Sequence, residues 1–227
     1  MAIRIICLLI GYVFGLLQTA YLYGKAHGID IRQHGSGNAG TTNTLRVLGT
    51  KAGLIVFAGD CLKCMAAVWL VRILFGGAHE DLIYLLCLYA GAGAILGHNY
   101  PFYLKFKGGK GIAATAGMVL SFHPYFIITG LLLFFVPFFT THLVSLGSLL
   151  VYAGLMIQLI IFGQFEIGDV FSGMTQGQLI EMYILFGCLM VMAFWKHREN
   201  IKRLLNGTER KTYLSKKNKV EADEQEV

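Results

Sequence analysis

A glycine-rich stretch with short polar side chains is the first part of the sequence whose residue types could bind a substrate. The positions that could contact a ligand there are Ser36, Gly37, Asn38 and Thr41. Alternating glycine, hydroxyl and amide residues allow successive backbone N–H groups to point towards one anion, and Arg46 adds a fixed positive charge. Thr42 or Asn43 can cap the short helix that carries Arg46. The stretch predicts a phosphate-binding loop, although a flexible loop whose glycines only supply turns would have the same composition.

A second glycine-rich stretch surrounds a lysine and runs directly into an apolar segment. Gly108 and Gly109 precede Lys110, and Gly111 follows it. Glycines before a helix leave N–H donors and the positive end of the helix dipole open to an anion, so these residues predict a second phosphate contact. Nucleotide hydrolysis is disfavoured, because Gly111 stands where a P-loop has a Ser or Thr that binds Mg²⁺. The alternative is a basic loop that contacts lipid head groups.

A third candidate group follows the last apolar segment. His197 and Asn200 are spaced i, i+3, which places them on one face of a helix. An imidazole can exchange a proton near neutral pH, so His197 is a candidate base or a binding group for the acceptor. Ser145, at the start of an earlier apolar segment, is a further candidate that could bind an anion or cap a helix. The competing interpretation of the region around His197 is a charged flank that stops membrane translocation.

Two ionisable residues, Asp60 and Lys63, lie inside an otherwise apolar segment. Either charge alone is costly inside a bilayer, and their i, i+3 spacing allows them to pair. We expect the pair to face the bundle interior and to support the site rather than to react, since intramembrane ion pairs can be structural. Cys61 and Cys64 form a C-x-x-C in the same segment, but they have no second cysteine pair or nearby histidine and are interpreted as packing residues.

The elements that position these residues must be membrane helices. Hydrophobic residues make up 56% of the 227 residues, charged residues make up 14%, and the mean hydropathy is +0.61. This balance excludes a soluble globular protein, a disordered chain, a coiled coil and a disulfide-rich secreted scaffold. The apolar runs are long enough to cross a bilayer as helices and too long for barrel strands. The predicted fold is therefore all-α, a polytopic membrane helix bundle.

Several single spans are predicted, together with one longer apolar block. The single spans are 3–23, 52–75, 82–97, 143–163 and 179–195, and the block is 112–139. The block is long for one crossing and short for two, and His123-Pro124 interrupts it. If it crosses twice, the basic regions at 25–51, at 100–110 and from residue 196 share one side, as the positive-inside rule requires. The prediction is seven transmembrane helices with the N-terminus outside, and six helices are the alternative.

The three polar groups, in this order, resemble the bacterial glycerol-3-phosphate acyltransferases that use acyl phosphate, which are integral membrane enzymes. The matching segments are Ser36-Gly37-Asn38-Ala39-Gly40-Thr41-Thr42-Asn43 with Arg46 and Gly49, Gly97-His98-Asn99-Tyr100-Pro101 with Phe106-Lys107-Gly108-Gly109-Lys110-Gly111, and His197-Arg198-Glu199-Asn200-Ile201 with Gly207-Thr208-Glu209. The resemblance extends from residue 3 to about residue 211 and includes the surroundings of Asp60 and Lys63. Ala39, Thr41 and Cys64 depart from the family's pattern without affecting the expected phosphate contacts.

The resemblance implies transfer of a fatty acyl group from acyl phosphate to the 1-hydroxyl of sn-glycerol 3-phosphate, which gives lysophosphatidic acid and phosphate. The residues that would bind the two phosphates and the developing negative charge, with the glycine N–H groups, are Lys110, Arg46, Ser36, Asn38 and Thr41. His197 and Asn200 would hold the glycerol acceptor. The base is either His197 or the acceptor's own phosphate.

The expected partners are these two substrates and membrane lipid, with no nucleic acid, no cofactor and no metal. The expected location is the bacterial inner membrane, with the active site on the cytoplasmic side. No histidine has an aspartate five residues later, so the H-x-x-x-x-D box of other acyltransferases is missing from the sequence. A phosphate or phosphate-ester transporter is the alternative function, because it would also need cationic, glycine-rich sites. Residues 1–211 are expected to form one domain and residues 212–227 a charged, disordered cytoplasmic tail.

Overall fold

All regular structure in the computed structural model is helical, and residues 1–214 are described. The α-helices are α1 (Ala2–Gly15), α2 (Thr19–Ala26), α3 (Thr41–Leu48), α4 (Thr50–Phe75), α5 (Ile83–Asn99), α6 (Ile112–Leu120), α7 (Pro124–Thr141), α8 (Val144–Gln164), α9 (Gln176–Lys196) and α10 (Arg198–Leu205). The prediction of an all-α fold is confirmed, with no β-strand between residues 1 and 214.

The described part of the chain contains six segments that are long and apolar enough to cross a membrane. They are Ala2–Ala26, Thr50–Phe75, Glu80–Leu104, Pro124–Thr141, Val144–Gln164 and Gln176–Lys196. Each predicted single span falls on one of these segments, and Pro124–Thr141 is the second half of the predicted long block. The first segment joins α1 and α2 across a short irregular stretch.

The long apolar block divides at the predicted break. α6 ends at Leu120, and α7 begins at Pro124 after His123, whose Nδ1 accepts the N–H of Tyr125. α6 has nine residues and is therefore about 13.5 Å long at the usual helical rise. It is too short to cross a hydrocarbon core of ~30 Å by itself.

Contacts at the ends of α6 and α7 show that the chain reverses direction between them. Arg72, near the end of α4, donates through Nη2 to the carbonyl oxygen of Phe122 at 3.2 Å, just after α6. At the far end of α7, the carbonyl oxygen of His142 accepts the N–H of Thr212 at 2.9 Å, and Thr212 also contacts Arg46 of the first loop region. The two helices therefore make an outward and a return passage. The chain thus reverses direction where the double crossing was predicted. α6 is not among the six segments of the described chain that are long enough to cross a membrane, so the count of seven transmembrane helices stays a prediction.

Helix α5 is the most buried span and packs closely against α1. In an apolar 18-residue stretch of the span Glu80–Leu104, which contains α5, 78% of the residues are buried. A Cβ on Gly11 or Gly15 would collide with the α5 backbone, at the carbonyl oxygens of Ala90 and Ala94 respectively. Small residues allow such close approach of membrane helices, where van der Waals packing provides much of the attraction. This contact fixes the end of α5, which carries His98 towards the polar loops.

The packed part of the chain continues slightly beyond the expected domain end. Thr212 is 3% exposed, because its N–H donates to His142 and its hydroxyl contacts Arg46. Residues 212–214 of the predicted tail are therefore described, and the carbonyl oxygen of Leu214 accepts the hydroxyl proton of Thr50. The rest of the predicted tail, residues 215–227, lies outside the described residues.

Single cysteines that replace His142 and Glu166 should react with a membrane-impermeant maleimide from opposite sides of the membrane. The reason is that α8, a full-length span, separates the two positions. A cysteine that replaces the exposed Thr208 should label from the same side as residue 142. Intact spheroplasts and inverted vesicles would be compared, with the exposed Cys188 replaced by Ser in every variant. Labelling of residues 142 and 166 from one side would contradict the crossing of α8.

Candidate active site

A cavity of about 570 Å³ lies between the N-termini of α3 and α6 and the start of α10. Residues from all three predicted groups line it: Ser36, Gly37, Asn38, Thr41, Arg46, Lys110, Gly111, Ser145, His197 and Asn200. Asp60 also borders the cavity, whereas Lys63, Gly108 and Gly109 do not. The fold therefore brings most of the predicted site residues together at one end of the helix bundle.

Positive charge dominates the lining of this cavity. The basic lining residues are Arg46, Lys110, Lys196, Arg198, Arg203 and Arg210, and the acidic ones are Asp60 and Glu199. The N-termini of α3 and α6 add the positive ends of two helix dipoles. Such surroundings favour anions, and phosphate groups in particular. Between residues 1 and 214, no group of three or more His, Cys, Asp or Glu side chains is arranged to hold a metal ion.

Asn43, which is buried, holds the first glycine-rich loop in shape. Its Oδ1 accepts the N–H of Ser36 at 2.7 Å, and its Nδ2 donates to two carbonyl oxygens in residues 31–34 at 3.1 and 2.9 Å. The prediction that Thr42 or Asn43 caps α3 is wrong, because the N-cap is Gly40 and no side chain caps the helix. Asn43 instead bonds within the preceding loop, and the first N–H groups of α3 lie beside the cavity without a side-chain cap.

The roles predicted for Gly108 and Gly109 need correction. Their N–H groups donate to the carbonyl oxygens of Asn99 and His98 at the end of α5, at 3.3 and 3.1 Å respectively, and are not directed at a ligand in the cavity. A Cβ on Gly109 would collide with the His98 ring and would lie 2.8 Å from the carbonyl oxygen of Ala39 in the first loop. These glycines allow the two loops and α5 to pack closely, which is a structural role.

Lys110 is positioned by the turn that starts α6. Gly111 is the N-cap of α6 and has a φ of 84°, a left-handed conformation that glycine adopts without strain. The ammonium group of Lys110 donates to Oδ1 of Asn200, so two of the predicted catalytic residues are in direct contact. Burial lowers the pKa of Lys110 to about 8, although the negative charge of Glu209 acts in the opposite direction. Lys110 is therefore charged at neutral pH and loses that charge in mildly alkaline solution.

His197 lies at the junction of α9 and α10 and is 4% exposed. Its Nδ1 is 2.8 Å from the carbonyl oxygen of Ala193, which assigns the ring proton to Nδ1 and leaves a lone pair on Nε2. Burial, followed by the positive charge of Lys110, lowers the pKa of His197 to about 4. The ring is therefore neutral at pH 7. An ordinary histidine would titrate near neutrality, but His197 does not. Nε2 is suited to accept a hydrogen bond from a hydroxyl group.

Glu209 is a residue of the site to which the sequence analysis assigned no role. Its Oε1 accepts hydrogen bonds from Oγ of Ser145 at 2.9 Å and Nδ2 of Asn200 at 2.7 Å, and its Oε2 accepts one from Nε of Arg203 at 2.7 Å. Burial raises the pKa of Glu209, but these hydrogen bonds outweigh it and hold the pKa below its usual value. Ser145 lines the cavity with its hydroxyl proton directed at Glu209, so the anion contact predicted for Ser145 is replaced by this bond. The available signal was an acid in a basic flank, since Glu199 and Glu209 are the two acids among residues 196–211.

Asp60 and Lys63 form the predicted pair inside the bundle, with Nζ of Lys63 2.7 Å from Oδ1 of Asp60. The same ammonium group donates to the carbonyl oxygen of Leu17 at 2.6 Å and contacts Nδ1 of His98 at 2.9 Å. Oδ1 of Asp60 also accepts the hydroxyl proton of Thr19 at 3.1 Å. The pair therefore links α4 to the junction of α1 and α2 and to the end of α5. His98 belongs to this buried cluster, and the sequence analysis gave it no separate role.

The fold and the site together define a class of protein: a polytopic membrane protein with a basic cavity at one end of its helix bundle. The family model described as glycerol-3-phosphate acyltransferase matches residues 5–207 of the chain. The chain belongs to this family.

Relatives and solved structures agree with this assignment over nearly the whole chain. Glycerol-3-phosphate acyltransferase 2 of a Bacillus cereus strain is 38% identical over 213 residues, which are 93% of this chain and 96% of the relative. The glycerol-3-phosphate acyltransferase of Alkaliphilus metalliredigens (strain QYMF) is 39% identical over 210 residues, 92% of this chain and 96% of the relative.

Two crystal structures of PlsY (YgiH), an integral membrane glycerol 3-phosphate acyltransferase, have the same fold. The glycerol 3-phosphate form gives a TM-score of 0.77 at 28% identity and covers 92% of this chain and 96% of that chain. The lysophosphatidic acid form gives a TM-score of 0.74 at 27% identity and covers 93% of this chain and 96% of that chain. The predicted polytopic membrane fold is therefore confirmed.

The affinity for glycerol 3-phosphate should fall as the pH rises through about 8, because Lys110 loses its charge there. Below that pH the charged ammonium group binds phosphate oxygens, and above it this charge-assisted contact is lost. We expect roughly a tenfold loss of affinity between about pH 7 and about pH 9.5, measured by isothermal titration calorimetry. Lys110→Arg, which stays charged throughout, should lose much less. Equal losses in the two proteins would show that another group titrates.

Proposed function

We propose that the protein transfers a fatty acyl group from an acyl phosphate to the 1-hydroxyl of sn-glycerol 3-phosphate. The observation that carries the proposal is the contact of Lys110 with Asn200, beside a neutral His197, in a basic cavity of about 570 Å³. The names of the relatives support it, and the PlsY structures hold glycerol 3-phosphate and lysophosphatidic acid, the acceptor and the product of this reaction. Family membership favours acyl transfer over the transport alternative.

The phosphate groups of the two substrates fit the basic part of the cavity. Arg46 and Lys110 supply positive charge, while Ser36, Asn38 and Thr41 supply short polar groups beside the N-terminus of α3. Oγ1 of Thr41 is buried and has no hydrogen-bond partner among residues 1–214, so it can donate to a phosphate oxygen. These preorganised groups would stabilise the negative charge that develops on the acyl carbonyl oxygen and on the departing phosphate.

An acyl phosphate suits a site of this kind because it is a mixed anhydride and is already activated. Positioning and charge stabilisation can then supply most of the catalysis, without an acyl-enzyme intermediate. The cavity is also lined by apolar residues, which include Phe57, Ile112, Phe134 and Val144. These residues offer the fatty chain a path towards lipid while the polar acceptor enters from water.

We assign His197 to holding the acceptor hydroxyl. Nε2 would accept the hydrogen bond of the 1-hydroxyl, and the oxygen of that hydroxyl would attack the acyl carbon as the bond to phosphate breaks. A ring whose pKa is about 4 is a weak base at neutral pH. Of the two candidate bases, the acceptor's own phosphate is therefore the better one. As the hydroxyl oxygen attacks, its proton would leave the hydrogen bond to Nε2 and pass to that phosphate. Inorganic phosphate is the leaving group.

We further propose that the protein lies in the bacterial cytoplasmic membrane, with the cavity on the cytoplasmic side and residues 1–211 as one acyltransferase domain. Basic residues are concentrated at the cavity end of the bundle, in 25–51, in 100–110 and from residue 196. The connections 76–81 and 164–177 contain acidic residues and no Lys or Arg. The positive-inside rule then places the cavity end in the cytoplasm.

Purified protein should form lysophosphatidic acid from labelled glycerol 3-phosphate and palmitoyl phosphate, and should form none from palmitoyl-CoA or an acyl carrier protein thioester. Lys110→Ala should lower kcat/KM by roughly 100-fold or more, because it removes a preorganised charge from the site. Lys107→Ala, at an exposed lysine of the same loop that does not line the cavity, is the matched control and should retain activity within about twofold.

Two outcomes of this assay would contradict the proposal. Product from a thioester alone would show that the acyl donor is a thioester and not an acyl phosphate. No product from any donor, combined with uptake of glycerol 3-phosphate into proteoliposomes, would show that the protein is a transporter. The same cavity would then be its substrate-binding site.

His197→Gln should lower kcat/KM by roughly 10- to 100-fold, because it replaces the hydrogen-bond acceptor of the hydroxyl. The shape of the pH–rate profile between about pH 6 and about pH 8 should not change, because a histidine whose pKa is lowered to about 4 is neutral throughout this range. Initial rates with palmitoyl phosphate would be measured across the range for both proteins. An acidic limb near pH 6.5 that disappears in the variant would identify His197 as the base.

A further inference from the structure

The chain after α10 lies along the rim of the cavity, and residues 210–214 are called the C-terminal strap here. The strap contains no helix or strand, yet it bonds to distant helices. The N–H of Thr212 donates to the carbonyl oxygen of His142 at 2.9 Å, and the carbonyl oxygen of Leu214 accepts the hydroxyl proton of Thr50 at 3.1 Å. The strap therefore connects the end of α7 with the start of α4.

The strap also holds Arg46, a predicted phosphate-binding residue. Nη2 of Arg46 donates to Oγ1 of Thr212 at 2.8 Å and to the carbonyl oxygen of Arg210 at 3.2 Å. Thr212 is 3% exposed, so its hydroxyl is held by packing and by the bond of its N–H to His142. These two partners of Arg46 lie 164 and 166 residues further along the chain, and no local pattern indicates the two contacts.

Arg46 lies on a short helix, and its guanidinium group bonds to residues outside that helix. α3 has eight residues and ends at Gly49, whose φ is 89°. An arginine side chain has many rotamers, and ordering them on substrate binding costs conformational entropy. The guanidinium group is planar, so fixing one of its nitrogens restricts the orientation of the whole group, and bidentate contact with a phosphate requires a defined orientation.

We propose that Thr212 is a positioning residue for Arg46, and that the C-terminal strap couples closure of the cavity rim to phosphate binding. The inference rests on the proposed function, because the phosphate is that of glycerol 3-phosphate or of the acyl donor. Substrate bound to Arg46 stabilises the attached strap, and the attached strap raises the affinity for that substrate by the same factor. The strap thus belongs to the functional site without contacting the reacting atoms.

Steady-state kinetics on two variants of Thr212 test the positioning role. Thr212→Val keeps the shape and the backbone N–H but removes the hydroxyl, and it should raise the KM of one phosphate substrate roughly tenfold while kcat changes less than about twofold. Thr212→Ser restores the hydroxyl and should restore that KM to within about twofold. Thr140→Val, the same chemical change at an exposed position on α7 outside the strap, is the matched control.

Hydrogen exchange provides a readout that does not depend on catalysis. Glycerol 3-phosphate, or inorganic phosphate at high concentration, should slow exchange of the strap amides in the wild-type protein, and Thr212→Val should weaken this protection. If acyl transfer fails with every donor while the protection persists, the proposed function fails and the coupling of strap and phosphate stands. The proposal is overturned if neither anion protects the strap, if Thr212→Val leaves both KM values unchanged, or if Thr212→Ser is as impaired as Thr212→Val.

Discussion

Three parts of the molecule meet around Gly109, where there is no space for a side chain. The N–H of Gly109 donates to the carbonyl oxygen of His98 at 3.1 Å, and a Cβ there would collide with the His98 ring and crowd the carbonyl oxygen of Ala39. Lys110 is the next residue, so its backbone position follows from this contact. α5, which carries His98, is held in turn by its backbone contact with α1 at Gly11. The relative position of the two glycine-rich loops is therefore set by close packing within the bundle.

The chemistry of the site depends equally on how its charges are balanced in a buried setting. Asn200 accepts a hydrogen bond from Lys110 through Oδ1 and donates one to Glu209 through Nδ2, so it links the cation to the acid. Glu209 also pairs with Arg203 at 2.7 Å. One buried acid thus compensates part of the basic charge while the rest of the cavity stays positive. The same burial keeps His197 neutral, which leaves its Nε2 as an acceptor.

The fold was largely predictable because hydropathy and the distribution of Lys and Arg are properties of the sequence itself. The break at His123-Pro124 is an example, since a histidine cap followed by proline favours the start of a new helix. The gathering of Lys110, His197 and Asn200 in one cavity was also predictable, because the positive-inside rule places their segments on one side of the membrane and because the three segments together resemble one family.

Other features of the site could not be read from local patterns. Glycine serves both anion binding and close helix contact, so the packing role of Gly108 and Gly109 required knowledge of what lies opposite them. Glu209 and Thr212 act through partners far away in the sequence, at Ser145 and Arg46. The lowered pKa of His197 depends on its burial, which residue type does not reveal. The missed roles therefore all involve tertiary contacts.

The shortness of α6 has a consequence for how the protein is made. A nine-residue helix presents too little apolar length to partition into a bilayer on its own. α6 must therefore enter the membrane together with α7, as a helical hairpin that turns at His123-Pro124. The residues that flank the α6–α7 hairpin then determine its orientation in the membrane. The basic stretch that ends at Lys110 lies at one end of this hairpin, directly before α6. The basic stretch that ends beside the cavity thus also directs the insertion of α6 and α7.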